Sequence, residues 1–255
     1  MPHEEICQKS QERKLQVCVR TAILVDGGFY RKRAHYLWGS VSAETRAYEL
    51  NTYCLYHVTE AKYGEIHHLY RIFYYDCEPI GRKSVYHPLT KRNVDLDKSD
   101  TYTWSVEFLE QLKRRRKFAL RLGHLSDQIY YNLKPSVTKE LCSGKRTVES
   151  LTEPDFLFSV QQKGVDMKIG VDIASLAYKK QVDQIVLISG DSDFVPAAKL
   201  ARREGIDFVL DPMGSAIRED LFEHIDGLQS YWKKMSRKYA RERAAEPDDA
   251  ADASE

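Results

Sequence analysis

No stretch of the 255 residues holds the 18 or so consecutive apolar side chains that a membrane span needs, and the opening MPHEEICQKSQERK has no apolar centre of a secretory leader. A cytoplasmic protein with no membrane partner is expected. Cysteine is scarce: Cys7, Cys18, Cys54, Cys77 and Cys142 are odd in number, scattered, and form no CxxC pair. That argues against a disulfide framework and a cysteine zinc site and leaves reduced thiols, most of them core filler. The eight histidines lack HxH or HxxxH spacing. No GxxxxGK[ST] loop and no GxGxxG follows a strand, so nucleotide binding of those kinds is not indicated. Gly190-Asp191-Ser192 comes late and has no downstream Asp-x-x-His, which argues against a GDS-type serine hydrolase. An excess of one charge is also missing. Lys and Arg number 39 against 38 Asp and Glu, a formal net charge of +1, so electrostatic recognition of nucleic acid or lipid has to be local.

What is present suffices for a core, with 42% hydrophobic and 11% aromatic residues. No repeat and no Gly/Ser-rich linker divides the chain, so one domain is expected over residues 19–230. Residues 1–18 are polar and aperiodic. Residues 231–255 read as a basic helix end followed by EPDDAADASE, which holds five acids and no base. Both ends are expected to be disordered. Between them, strand-length apolar runs alternate with helical patterns. Strands are expected at Thr21 to Asp26, Tyr70 to Asp76, Phe118 to Leu122, Gln184 to Ser189 and Ile206 to Leu210. Helices are expected near 45–63, around Trp104, Phe108 and Leu112, and over 166–180, 194–204 and 215–225. Strands apolar on both faces and separated by helices predict an α/β fold: a three-layer sandwich around a central, mainly parallel sheet. The stretches near 77–103 and 124–162 are long for simple connections and read as insertions. The second carries a candidate hairpin in Gln128-Ile129-Tyr130-Tyr131 and Phe156-Leu157-Phe158.

In an open parallel sheet, chemistry gathers beyond the carboxyl ends of the strands. Asp26 closes the first strand, Asp191 and Asp193 follow the Gln184 to Ser189 strand, and Asp166 and Asp172 lie at the start of the intervening helix. Each acid has a plain alternative: Asp26 as a turn residue, Asp166 as a helix cap, and Asp191 or Asp193 as the cap of the next helix. Asp172 reaches the edge only if 163–172 is not already helical. Convergent carboxylates without basic partners repel one another and raise each other's pKa unless a cation neutralises them. Hard oxygen donors of this kind suit Mg²⁺ or Mn²⁺, and such a site serves phosphodiester cleavage.

Four segments together resemble the NYN domain, a branch of the PIN-like nucleases: Val25-Asp26-Gly27-Gly28, Gln162-Lys163-Gly164-Val165-Asp166, Val171-Asp172-Ile173, and Leu187-Ile188-Ser189-Gly190-Asp191-Ser192-Asp193-Phe194. Order and spacing match over about residues 20–212, the last block being the most specific. The resemblance implies a Rossmann-like sheet and a pocket for Mg²⁺ or Mn²⁺ formed by Asp26, Asp166, Asp172 and Asp191, with Asp193 adjoining. Ser189 would orient a carboxylate, Lys163 would contact phosphate, and Asp76 would be a peripheral acid. The Asp172 to Asp191 spacing is similar to that of the last two acids in PIN nucleases, which favours Asp172. The activity implied is metal-dependent, endonucleolytic cleavage of single-stranded or structured RNA. The sequence departs from the pattern after the first Asp: many members carry Asn there, whereas this chain has Phe29 and Tyr30, which admits base stacking by Phe29 beside a core position.

Two basic stretches complete the reading. Lys113, Arg114, Arg115, Arg116 and Lys117 either track a phosphate backbone or offset a helix end, and Lys233 to Arg243 forms a second basic face. The alternatives are a weakly catalytic RNA-binding module and a DNA-directed nuclease. A homo-oligomer fits any of these readings.

Overall fold

The computed structural model describes residues 18–60, 65–81, 83–126 and 128–245, with the side chains of 243–245 left aside. Residues 1–17 and 246–255, expected to be disordered, lie outside the described residues. In chain order the elements are β1 (Cys18–Asp26), α1 (Gly27–Trp38), α2 (Ala43–Thr59), β2 (Ile66–Cys77), β3 (Ser84–His87), β4 (Arg92–Asp95), α3 (Asp100–Lys113), β5 (Phe118–Leu125), β6 (Tyr130–Leu133), α4 (Pro135–Cys142), β7 (Phe156–Ser159), β8 (Gln162–Lys163), α5 (Val165–Tyr178), β9 (Gln184–Ile188), α6 (Val195–Arg203), β10 (Asp207–Asp211), α7 (Glu219–Phe222), β11 (Gly227–Leu228) and α8 (Trp232–Ala245).

The main sheet has the order β11-β10-β9-β1-β2-β5-β8. All neighbouring pairs in it are parallel except β5 with β8. Central β1 explains the architecture. Ala22, Ile23, Leu24 and Val25 have no exposed surface, which requires a covering layer on each face. Leu24, with Phe73, Leu187 and Phe208, packs beneath Ile169 and Ile173 of α5 and Ala198 of α6. Ile23 and Val25 face the other way, against Tyr30 of α1, Leu50 and Tyr53 of α2, Phe108 and Leu112 of α3, and Met235 of α8. The three-layer α/β sandwich predicted from the sequence is the observed fold. Of the cysteines described, Cys54 and Cys77 are buried, Cys18 and Cys142 are exposed, and all four are free thiols.

Helix α1 is not apparent in the sequence, because it opens on two glycines, which are poor helix formers. Tertiary contacts compensate. Asp26 caps α1 by accepting from the Phe29 amide at 3.0 Å. Tyr30 is buried and donates to Glu49 at 2.7 Å. At Gly27 an added Cβ would lie 2.5 Å from both the Tyr74 hydroxyl and the Tyr75 carbonyl oxygen. Helix α7 is shorter than the 215–225 expected, because residues 215–218 are not helical and Arg218, its N-cap, is extended.

Both insertions are hairpins. The one expected around Tyr131 and Phe158 pairs β6 with β7, with Tyr131 opposite Phe158. The first insertion holds β3 and β4, with Val85 opposite Val94. Buried His87 joins the two hairpins, its ring 4.4 Å from that of Tyr131 and 5.1 Å from that of Phe156. Arg146 clasps Asp155 through two contacts at 3.0 and 2.6 Å, which hold that carboxyl down to about 2. Among the described residues no helix is long and apolar enough to cross a membrane.

The Gly27 contact makes a direct prediction. Gly27→Ala should destabilise the protein by about 2 kcal/mol, the scale of an overpacked core, because one of the opposing atoms is backbone. Urea unfolding monitored by circular dichroism checks this; an unchanged midpoint would show that β2 yields at no cost.

Candidate active site at the strand ends

Adjacent parallel strands deliver their following residues to one edge. Val25 of β1 pairs with Ile188 of β9, so Asp26 and the Ser189-Gly190-Asp191 segment emerge side by side. Asp166 arrives by a different route. Strand β8 runs back along β5, with Lys163 opposite His124, and Gly164 turns the chain at φ +80° into α5. Helix α5 therefore starts at the edge where the strands finish, with Asp166 in its first turn. The return is close-packed, since a Cβ at Gly123 would meet the Lys163 carbonyl oxygen at 2.5 Å.

The acids at this edge feel one another. The Asp26 carboxyl is raised above the usual range by burial first, then by the charges of Asp166 and Asp76; the Phe29 amide and the Ser189 hydroxyl act in the opposite sense. Asp166 is raised by burial and then by Asp191 and Asp193. Geometry agrees with the cap readings as well. Asp26 caps α1, and Asp191 caps the short turn after β9 by accepting from the Asp193 amide at 3.0 Å. Asp166 is not a cap, because Gly164 holds that position. Ser189, fully buried, donates to Asp26 at 3.3 Å and accepts from the Asp191 amide at 3.3 Å, so one hydroxyl ties the two acidic segments together.

Asp172, expected among the metal-site acids, is a correction. Six residues beyond Asp166 on α5, it is roughly 9 Å further along the helix, away from the edge. It accepts from the Tyr75 hydroxyl at 2.8 Å and pairs with Arg121 at 2.9 Å. The spacing that favoured it in the sequence takes no account of helical rise. Asp76, by contrast, is more than peripheral. It is buried, and its carboxylate receives Arg31 at 3.0 Å, the Tyr74 hydroxyl at 2.9 Å, the Cys77 amide at 2.8 Å and Gln162 at 3.3 Å. Arg31 and Gln162 went unnoticed in the sequence. The only signal for Arg31 is its place in the basic Arg31-Lys32-Arg33 run of a helix that was itself not expected.

Phe29 is half-buried, and its ring lies over Gly190, where a Cβ would be 2.8 Å away. It braces the acidic turn. Lys163 is exposed beside the start of α5. The expected phosphate contacts Lys113, Arg114, Arg115 and Arg116 are a second correction with respect to this site. They occupy the turn between α3 and β5, at the edge where the strands begin, about 25 Å from the other edge at the rise of an eight-residue strand. Lys113 pairs with Glu110 at 2.5 Å and Arg114 is the C-cap of α3, the arrangement of a solvated helix end. Arg115 lies over the Tyr48 ring at 5.9 Å, and Lys238 of α8 lies over the same ring at 4.8 Å.

Among the described residues, no three His, Cys, Asp or Glu side chains form a closed ligand set. The donors nevertheless fit a hard cation that keeps most of its water and takes one or two carboxylates directly. Asp26, Asp166 and Asp191 are oxygen donors whose mutual repulsion such a cation relieves, and no cation of the protein is paired with them among the described residues. A carboxyl raised in the folded state binds its proton more tightly there than in the unfolded chain, so stability falls as pH rises from about 4 through the raised value. Asp166→Asn should therefore raise the thermal midpoint at pH 7.5 in EDTA, with the gain vanishing below about pH 4. Scanning calorimetry at both pH values checks the sign.

Residues 107–219 match the family model of the NYN domain. The match includes Asp166, Asp172, Asp191 and Asp193, whereas Asp26 and Asp76 precede it. The chain is also similar to the crystal structure of a protein of unknown function from Vibrio parahaemolyticus, at 14% identity and a TM-score of 0.42, with 83% of this chain and 92% of that one covered. No curated protein matches the chain in sequence. The matched family points to a nuclease, and its members typically use divalent metal ions. Asp166, Asp172, Asp191 and Asp193 thus lie on a segment that is similar to the NYN domain, a family of the PIN-like superfamily.

Proposed function

We propose that the chain is a metal-dependent endoribonuclease that hydrolyses RNA phosphodiesters with Mg²⁺ or Mn²⁺. The observation that carries the reading is the gathering of Asp26, Asp166, Asp191 and Asp193 at one sheet edge, where burial first and then neighbouring carboxylates raise Asp26 and Asp166, and where none of the four forms an ion pair among the described residues. One or two of Asp26, Asp166 and Asp191 would hold the metal directly and the rest through water, with Asp193 adjoining. When bound, the metal supplies Lewis-acid polarisation of the phosphate and lowers the pKa of water.

The protein's own part is positional. Ser189 and the Phe29 amide fix both oxygens of Asp26, so its carboxylate presents one orientation. The Asp193 amide holds one oxygen of Asp191. Arg31, held against Asp76, keeps a positive charge beside the acids, where an incoming phosphate needs one. Lys163, exposed before α5, would meet the phosphate from that side. The protein is expected to act in the cytoplasm, and a homo-oligomer remains compatible with this reading.

The test is cleavage of labelled single-stranded and structured RNA in Mn²⁺, with matched DNA in parallel. Asp26→Asn and Asp191→Asn should each lower the rate by about 100-fold or more, equivalent to about 2.7 kcal/mol, while circular dichroism stays that of the parent. Asp172→Asn should cut within a few-fold of the parent, because its partner is Arg121. Tight RNA binding without cleavage in any divalent metal would instead make the chain a binding module. Preferential cutting of DNA would make it a DNA nuclease.

A further inference from the structure

Beside the acids lies a cavity of about 930 Å³, of which the nuclease reading uses only the Arg31 and Asp76 end. One wall is a stripe of α1: Gly28, Arg31, Lys32 and His35 follow the i, i+3, i+4, i+7 spacing of a single helix face. All but the glycine carry basic side chains. The rest of the lining comes mainly from the two insertions and the start of α3, and it includes Tyr102, Tyr131 and Phe158. Tyr131 and Phe158 meet edge to face at 5.6 Å, and Phe158 is 41% exposed. Asp76 and Gln162 line the cavity where it meets the acidic edge. At that junction a Cβ on Gly28 would come within 3.5 Å of Asp26 Oδ1 and 3.3 Å of Gln162 Oε1, so the cavity opens directly onto the acid that ends β1.

A cavity of this volume lined by both cations and aromatic rings has the chemistry of single-stranded nucleic acid, which offers phosphates to the cations and base faces to the rings. A duplex, about 20 Å across with its bases paired inward, offers no base face to these rings. We infer that the insertion hairpins build a subsite for one or two unpaired nucleotides flanking the cut phosphate: Arg31, Lys32 and His35 take the backbone, and Phe158 and Tyr131 stack on the bases. The inference rests on the strand-end acids being the cleaving centre. It makes an unpaired flank, rather than a base sequence, the requirement for productive binding.

The experiment measures binding of a short fluorescent single-stranded RNA by anisotropy in EDTA, so that no turnover intervenes, beside the same sequence as a duplex. Phe158→Ala and Lys32→Glu, both at accessible positions, should each weaken single-strand binding about tenfold or more, the scale of one lost stack or phosphate contact. Duplex binding should not change, and Phe158→Trp should restore the parent affinity. Parent-like single-strand affinity in both variants, or equal losses on duplex, would overturn the subsite. A parent that binds single strands through these residues yet cuts nothing in Mn²⁺ overturns the nuclease reading and supports the subsite. Cleavage by the parent with unaltered binding in both variants supports the nuclease reading and overturns the subsite.

Discussion

The close approach of β1 to β2 at Gly27 fixes the position of everything at the acidic edge. With only 2.5 Å between a hypothetical Cβ and the Tyr75 carbonyl oxygen, the chain leaves β1 over the end of β2 and turns at once into α1. Asp26 is thereby both the last residue of a buried strand and the cap of a helix, and its two roles share one carboxylate. Capping holds the side chain, whereas burial and the neighbouring acids oppose its charge. The same turn sets the rotation of α1, and hence which of its residues face the core and which face the cavity. Tyr30 and Ala34 go inward, while Arg31, Lys32 and His35 turn towards the insertions.

The acids near the strand ends divide by what neutralises them. Asp211, at the end of β10, has no exposed surface, and its two oxygens are met by Tyr53 at 2.6 Å, His57 at 2.9 Å, the Met213 amide at 2.8 Å and Ser230 at 2.5 Å. It ties α2 to the sheet and has no capacity left for a ligand. Asp172 is matched by Arg121 and Asp76 by Arg31. Among the described residues, Asp26, Asp166, Asp191 and Asp193 are met only by amides and one hydroxyl where they are met at all. Those contacts orient a carboxylate without cancelling its charge. Position at a strand end is thus shared by structural and site acids, and the identity of the partner separates them.

This division explains which parts were legible in the sequence. Strands β1, β2, β5, β9 and β10 stood out because residues buried on both faces leave continuous apolar runs, and those runs placed Asp26 and Asp191 at one edge. Asp166 followed from the motif around Gly164. Helix α1 left little trace, since Gly27 and Gly28 oppose helix formation and its apolar contribution to the core is narrow. With α1 hidden, the partner of Asp76 was hidden too, as was the basic stripe of the cavity. Asp172 was misplaced because linear spacing is blind to the rise that carries it to Arg121. The run at 113–117 was conspicuous as composition, but only the strand order reveals that it sits at the wrong edge.

That last point decides which cations matter to a polyanion approaching the acids. Charges screen over about 8 Å at physiological ionic strength, so a basic run about 25 Å away across the sheet contributes almost nothing to the potential there. Four aspartates at the edge would repel a phosphate unless compensation is local. Arg31, already drawn in by Asp76, and Lys32 and His35 on the same helix face lie on the cavity side of Asp26. In the proposed nuclease, a divalent ion at the acids would be the other local source of positive charge. A net charge of +1 therefore conceals two separated fields, and it is the cations of α1, with Lys163 before α5, that lie near the acids. The basic groups at the far edge meet instead around Tyr48, where Arg115 and Lys238 share one ring; a strand bound there would be held by the protein yet lie beyond the reach of the acidic edge.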